Sequence, residues 1–203
     1  MIILLHGLGQ RANSWDETIA HLSTDAKNLD LYEFGFTYQD IYKGFVDYCK
    51  ELSEPIHLVG LSLGGMLALN YAADYPEKVA SLVVVGAQYK IPTSLMAVQG
   101  AIFKLLPPSM FQKMGLAKAD FIALLASASQ LDLTPKLSKI TCRTLVVCGT
   151  KDKPNQKAAR NLSEKLAHAT LKWVENANHE VNNEQPVALA ELINEFYEEE
   201  STC

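Results

Sequence analysis

Ser62 is the first residue whose surroundings suggest chemistry. It stands in Gly60-Leu61-Ser62-Leu63-Gly64, a G-x-S-x-G pattern between the apolar run "IHLVG" and the Ala/Leu-rich run "LGGMLALNYAADY". A serine on a sharp strand-to-helix turn is held in a strained conformation with its hydroxyl exposed, and glycines on either side leave room for the backbones that must pass. The turn also sets the serine at a helix N-terminus, where free N–H groups and aligned peptide dipoles favour developing negative charge. These are the requirements of a nucleophile in acyl transfer. The plain alternative is a glycine-rich turn with an incidental serine, and the apolar strand before it and the helix-like run after it speak against that.

A serine hydroxyl is a poor nucleophile without a base. Of the five histidines, His21 falls in an early helix, His57 in the strand before the turn and His168 at the end of a surface helix. His6, beside Gly7 directly after the first apolar run, suits a structural role that shapes its loop through hydrogen bonds. His179 differs: it lies in "WVENANHEVNNEQP", a polar loop between the last strand and the last helix. The base needs an acid to hold its tautomer and stabilise the imidazolium. Asp152, in "TLVVCGTKDKPNQ", leaves a buried strand at the same edge; its plain alternative is a turn or helix-cap aspartate. An oxyanion needs two backbone donors. The amide of Leu63, directly after the nucleophile, is one candidate. The amide of Leu8, in the turn of "LLHGLGQ", is the other.

These residues must be placed by something. Short Val/Ile/Leu-rich runs at 2–5, 29–34, 56–60, 81–86, 144–149 and 169–175 read as strands, and their continuous apolar character suits parallel strands covered on both faces. Amphipathic or apolar helices fill the gaps at 39–52, 63–75, 155–167 and 185–200, with Pro186 fitting a first helical turn. Repetition of strand and helix predicts an α/β fold, a doubly wound, mostly parallel sheet of about six strands with helices on both faces. Residues 88–140 break the alternation. They contain no strand candidate, only short apolar helices interrupted at Pro92, Pro107–Pro108, Gly115 and Pro135. The expectation is one domain over 1–203, with 88–140 a small helical lid above the carboxyl edge of the sheet, where such folds bind ligands. Its Leu95, Met96, Phe103, Leu105, Leu106, Met110 and Phe111 suit either an apolar substrate group or the core.

Composition narrows the function classes. The chain has 203 residues, 48% of them hydrophobic and 20% charged, with a net charge of −5. No Lys/Arg cluster accompanies that acidic balance, which argues against nucleic acid as a partner. No apolar stretch approaches the ~18 residues of a membrane span. Four cysteines, Cys49, Cys142, Cys148 and Cys203, lack paired spacing, so reduced thiols and a cytoplasmic location are expected. "MIILLHGLGQ" has neither the basic region nor the cleavage site of a signal peptide.

Taken together, His6-Gly7-Leu8-Gly9, "GLSLGG" at 60–65, "YPEKVASLVVVGA" at 75–87, "LVVCGTKD" at 145–152 and "NANHE" at 176–180 resemble the α/β-hydrolase superfamily over nearly the whole chain. The order Ser62, Asp152, His179 matches that family and neither protease order. The resemblance implies Ser62 as nucleophile, Asp152 as acid, His179 as base, an oxyanion hole from the Leu8 and Leu63 amides, and no cofactor or metal. The chain departs from the family in starting almost at the His-Gly strand, without the usual antiparallel pair before it, and in having a short lid. A shallow pocket, or one completed in a homodimer, follows as an expectation. The leading function is a carboxylesterase-like or thioesterase-like serine hydrolase that cleaves a small acyl substrate through an acyl-enzyme. Two alternatives stay open: a lyase or synthase of the same fold that uses the three residues to shuttle protons, and a binding protein that has kept the fold without catalysis. Ser62 argues against the dehalogenase branch, which carries aspartate at the elbow.

Overall fold

The computed structural model describes residues 1–91, 106–112 and 114–201 of the chain. Six strands form one sheet: β1 (Ile2–Leu5), β2 (Ala26–Leu29), β3 (Ile56–Leu61), β4 (Val79–Val85), β5 (Arg143–Gly149) and β6 (Ala169–Val174). Their spatial order is β2-β1-β3-β4-β5-β6, and all five pairings are parallel. Every strand therefore ends on the same edge. The register aligns Leu5 with Gly60, Leu61 with Val85, and Val85 with Val147, so the loops after β1, β3, β4 and β5 start side by side.

Alternation along the strands splits the core in two. Ile3, Leu5, Leu58, Leu82, Val84 and Val146 face one layer, with helices α1 (Tyr38–Lys50), α2 (Leu63–Asp74) and α4 (Lys153–Lys165), α3 being Lys118–Ala128 of the insertion. Ile2, Leu4, Val59, Leu61, Val83, Val85, Leu145 and Val147 face the other layer, with Trp15, Val181 and helix α5 (Pro186–Ser201). Two apolar faces need helices on both sides, which is the doubly wound arrangement. Helix α2 is buried nearly all round, as its run of Ala, Leu and Met requires. Helix α1 is amphipathic and is capped by Thr37, whose hydroxyl accepts the Asp40 amide at 3.2 Å.

One strand differs from expectation. Of the apolar stretch 29–34 only Leu29 is strand; β2 ends there, and Leu31–Glu33 is a 3-10 turn. Asp30 ends the strand by accepting the Tyr32 amide, while the Leu31 amide donates to His6 Nε2 at 3.0 Å. The ladder thus loses its donors to side chains, and Leu31 and Tyr32 are buried in succession rather than alternately. β2 itself reads Ala-Lys-Asn-Leu, the polar sequence of an edge strand, half exposed.

In the insertion, the described residues form a one-turn helix at Pro108–Gln112, helix α3 and a 3-10 segment at Thr134–Lys139. Pro108 and Pro135 begin helical turns rather than ending them. Lys90 and Asp132 form an isolated antiparallel bridge, and the Leu133 amide donates to the Tyr89 carbonyl at 2.8 Å, so the two ends of the insertion are tied together at its neck. Phe111 is buried against Phe121, while Met110 is exposed. Pro92, Leu95, Met96, Phe103 and Leu105 lie outside the described residues.

Candidate active site

Ser62 joins β3 to α2 with φ +52° and ψ −109°. A non-glycine residue in that region stores about 1–3 kcal/mol of backbone strain. The turn is held from both sides: the Ser62 amide donates to the Val85 carbonyl of β4, and the Ser62 carbonyl accepts from Met66, both at 2.9 Å. The reason for the flanking glycines is visible in the close approaches. A Cβ on Gly60 would lie 2.4 Å from the Gly64 carbonyl oxygen, and one on Gly64 would lie 2.2 Å from that of Leu5. Both obstacles are backbone and cannot swing aside.

Asp152 leaves β5 in the loop Thr150–Asp152 and sits at the start of α4, 3% exposed. Its side chain caps no helix amide. The carboxylate instead accepts from His179 Nδ1 at 2.8 Å. A carboxylate can only accept, so the imidazole proton is on Nδ1 and Nε2 keeps its lone pair. His179 follows β6 in the loop closed by Lys151 N–H to Ala177 carbonyl at 2.8 Å. Its ring is partly exposed and lies over Gly86, the residue after β4: a Cβ on Gly86 would be 3.1 Å from His179 Nδ1 and 3.4 Å from Asp152 Oδ2. Gly86 adopts φ +56°. Val85 holds the serine turn and Gly86 underlies the imidazole, so two adjacent residues link the two halves of the site.

The loop after β1 is braced at nearly every polar group. Gly7 N–H donates to Gln10 Oε1 at 3.2 Å, Gln10 N–H to the Gly7 carbonyl at 3.2 Å, and Gly9 N–H to the Tyr32 hydroxyl at 2.9 Å. The Leu8 amide, between them, has no acceptor among the described residues. The Leu63 amide, first of its helix, is in the same condition, as helix starts require. A Cβ on Gly7 would meet Leu61 Cδ2 at 2.7 Å, so this loop packs directly against the serine turn. Burial pushes the Tyr32 hydroxyl up to about 12, keeping it neutral as an acceptor for Gly9.

His6 is fully buried beneath this loop, with Nδ1–H donating to the Gly7 carbonyl at 2.9 Å and Nε2 accepting from Leu31. Both ring nitrogens are occupied, and the ring serves the loop. His57 Nδ1 pairs with Ser81 Oγ at 2.8 Å within the sheet, His21 bonds the Glu17 carbonyl on the surface, and His168 lies between α4 and β6. Sequence reasoning missed Gln10, Tyr32, Gly86, Gln88 and Asn155. Gly86 ends an apolar strand and Asn155 stands three residues beyond Asp152, which are faint signals; Tyr32 gives none.

Comparison with known proteins gives a consistent family. Residues 2–192 match the model described as the alpha/beta hydrolase family. The chain is 26% identical to monoacylglycerol lipase ABHD6 of Homo sapiens over 251 residues, covering 96% of this chain and 74% of that protein. It is 26% identical to the pimeloyl-[acyl-carrier protein] methyl ester esterase of Vibrio parahaemolyticus over 136 residues, covering 63% of this chain and 53% of the other. A thermophilic esterase from Thermogutta terrifontis superposes with a TM-score of 0.82 at 18% identity, covering 98% of this chain and 89% of that one.

Proposed function

The chain belongs to the alpha/beta hydrolase family, and on that premise we propose that it is a serine hydrolase cleaving a small carboxylic ester or thioester, with Ser62 as nucleophile, His179 as base and Asp152 as the acid behind it. The observation that carries this reading is the meeting at Gly86: the strained serine turn hangs from Val85, and the Asp152–His179 pair rests on the next residue.

In this reading His179 Nε2 takes the Ser62 hydroxyl proton as Oγ attacks the acyl carbon. The carbonyl π electrons move to oxygen, and the amides of Leu8 and Leu63 receive that charge. Collapse of the tetrahedral intermediate breaks the C–O bond of an ester or the C–S bond of a thioester, and His179 returns the proton to the departing alkoxide or thiolate. Water then attacks the acyl-enzyme, giving its proton to Nε2; collapse breaks the bond to Ser62 Oγ, which recovers that proton. Asp152 stays ionised and holds Nδ1–H throughout. The relatives named as a monoacylglycerol lipase and a methyl ester esterase both support an ester as the substrate class. Residues 88–140 act as a lid on a single domain, joined to the sheet edge at the Lys90–Asp132 neck. The buried thiols of Cys49 and Cys148 support a reducing, cytoplasmic setting; no helix among the described residues is long and apolar enough to cross a membrane.

A fluorophosphonate probe should label the wild-type protein and leave folded Ser62→Ala unlabelled, with turnover of p-nitrophenyl esters falling by about six orders of magnitude. Unreduced turnover in Ser62→Ala would end the reading. The same ester series, extended in acyl length, measures the size of the pocket.

A further inference from the structure

The acid of the site is held by more than the histidine. Asn155, in the first turn of α4, donates Nδ2 to Asp152 Oδ1 at 2.8 Å and Oδ2 at 2.9 Å. Its Oδ1 accepts from Gln88 Nε2 at 2.7 Å. The orientation of both amides follows from chemistry rather than assignment. A carboxylate offers no proton, so the NH2 end of Asn155 must face Asp152. The carbonyl end then faces Gln88, which must present its own NH2 end. Asn155 Nδ2 also lies 3.1 Å from His179 Nδ1; both are donors, and the imidazole proton goes to Asp152, so this is a packing contact.

We propose that Asn155, oriented by Gln88, is a positioning residue that fixes the plane of the Asp152 carboxylate and, by sharing its charge, sets the basicity of His179. The inference rests on the serine-hydrolase reading. An anion that already receives two N–H bonds is a weaker acceptor for a third. Asn155 therefore tempers the pull of Asp152 on the imidazole proton, while preventing the carboxylate from rotating away from Nδ1. Gln88 makes the arrangement one-sided: its donor holds the Asn155 oxygen, whereas an acceptor in its place would compete with Asp152 for the NH2 end.

Among the described residues, Tyr89, Lys90 and Lys157 line a cleft together with Gln88 on the outer side of this array. Cys148, near the end of β5, is pushed up to about 12, by burial first and the Asp152 charge second, and stays a neutral thiol. Glu180, beside His179, is engaged by Gln10 at 3.2 Å and Asn183 at 2.7 Å. Lys151 and Lys153 flank Asp152 in sequence and are exposed, and Arg160 of α4 lies over the Trp173 ring.

The test is the pH profile of kcat/KM for p-nitrophenyl acetate in Asn155→Asp, Gln88→Glu and Gln88→Leu, with Ser62→Ala beside them and melting temperatures for all. Asn155→Asp sets a second carboxylate against the first, and the acid limb should move up by about one pH unit. Gln88→Glu removes the donor and invites the amide to flip; kcat should fall about tenfold or more with KM little changed, as expected when an interaction used in the transition state is lost. Gln88→Leu should fall between that variant and wild type. Where Asn155→Asp does not fold, the two Gln88 variants carry the test. Wild-type kcat and acid limb in the folded Asn155 and Gln88 variants, with Ser62→Ala inactive, would overturn the proposal and leave the hydrolase reading standing. Activity in Ser62→Ala would overturn both.

Discussion

Protonation of His6 has no place to go. Its Nδ1–H is given to the Gly7 carbonyl and its Nε2 lone pair is taken by the Leu31 amide. Burial therefore depresses its ionisation below the ordinary histidine value, although Asp30 lies 3.5 Å from Nε2 and pulls the other way. The Leu31 bond decides the matter, because a nitrogen that accepts an N–H cannot carry a proton of its own. The sign follows from linkage: below the unfolded value of about 6.5 the unfolded chain binds a proton that the folded one refuses. The stability His6 contributes is complete above that pH and is lost as pH falls through the depressed folded value. The melting temperature should drop between about pH 7 and pH 5, and His6→Asn should flatten that dependence while costing about 1–3 kcal/mol at neutral pH. An unchanged slope in the variant would assign the acid sensitivity elsewhere. At the same scale, Asp152→Asn should keep the fold and lower kcat by about four orders of magnitude, measured as ester turnover, because an amide at that position favours the wrong imidazole tautomer.

At the scale of elements, positions are fixed by close approaches between backbones. A Cβ on Gly149, the last residue of β5, would lie 2.3 Å from the carbonyl oxygens of Ala177 and Asn178. Gly149→Ala must therefore push the loop that carries His179. The expected cost is about 2–3 kcal/mol by thermal or urea unfolding, with a fall in ester turnover larger than any fall caused by an equally destabilising core change such as Leu82→Ala. Equal losses would mean that the loop is positioned by something other than this contact. Much of this frame was legible beforehand. The strands at 56–61, 79–85 and 143–149 are buried runs whose hydrophobicity announces them, and 169–174 is a half-exposed edge marked by alternating Leu171 and Trp173. Ser62, Asp152 and His179 each follow one of these four. What escaped notice depends on partners distant in sequence. β2 is polar because it is an edge. The turn at Leu31–Glu33 is apolar because it is buried, but it is coiled by Asp30 and by a histidine 25 residues earlier. Tyr32, Gln88 and Asn155 are ordinary polar residues until the fold brings them to the site.

For the whole molecule, the sheet is not uniformly protected. β1, β3, β4 and β5 are buried almost throughout, whereas β2 and β6 expose alternate residues. Amide hydrogen exchange should be slowest in β3 and β4 and faster by orders of magnitude in β2 and β6, because edge strands open without disturbing both cores. Exchange as slow in β6 as in β4 would indicate a single cooperative unit reaching the edge. The proposed base, His179, thus follows one of the less protected strands, and the hydrogen bond from Lys151 to Ala177, rather than the strand itself, ties its loop to the interior.

The all-parallel order has a consequence for biogenesis. No two neighbouring strands can pair as a hairpin, so each pairing waits for an intervening crossover to be synthesised and packed. Ser62, Asp152 and His179 emerge from the ribosome in that order, the last of them only after β6 has been synthesised. On the proposed mechanism, a nascent chain stalled before β6 docks would be inert toward esters, however well its earlier strands had already condensed.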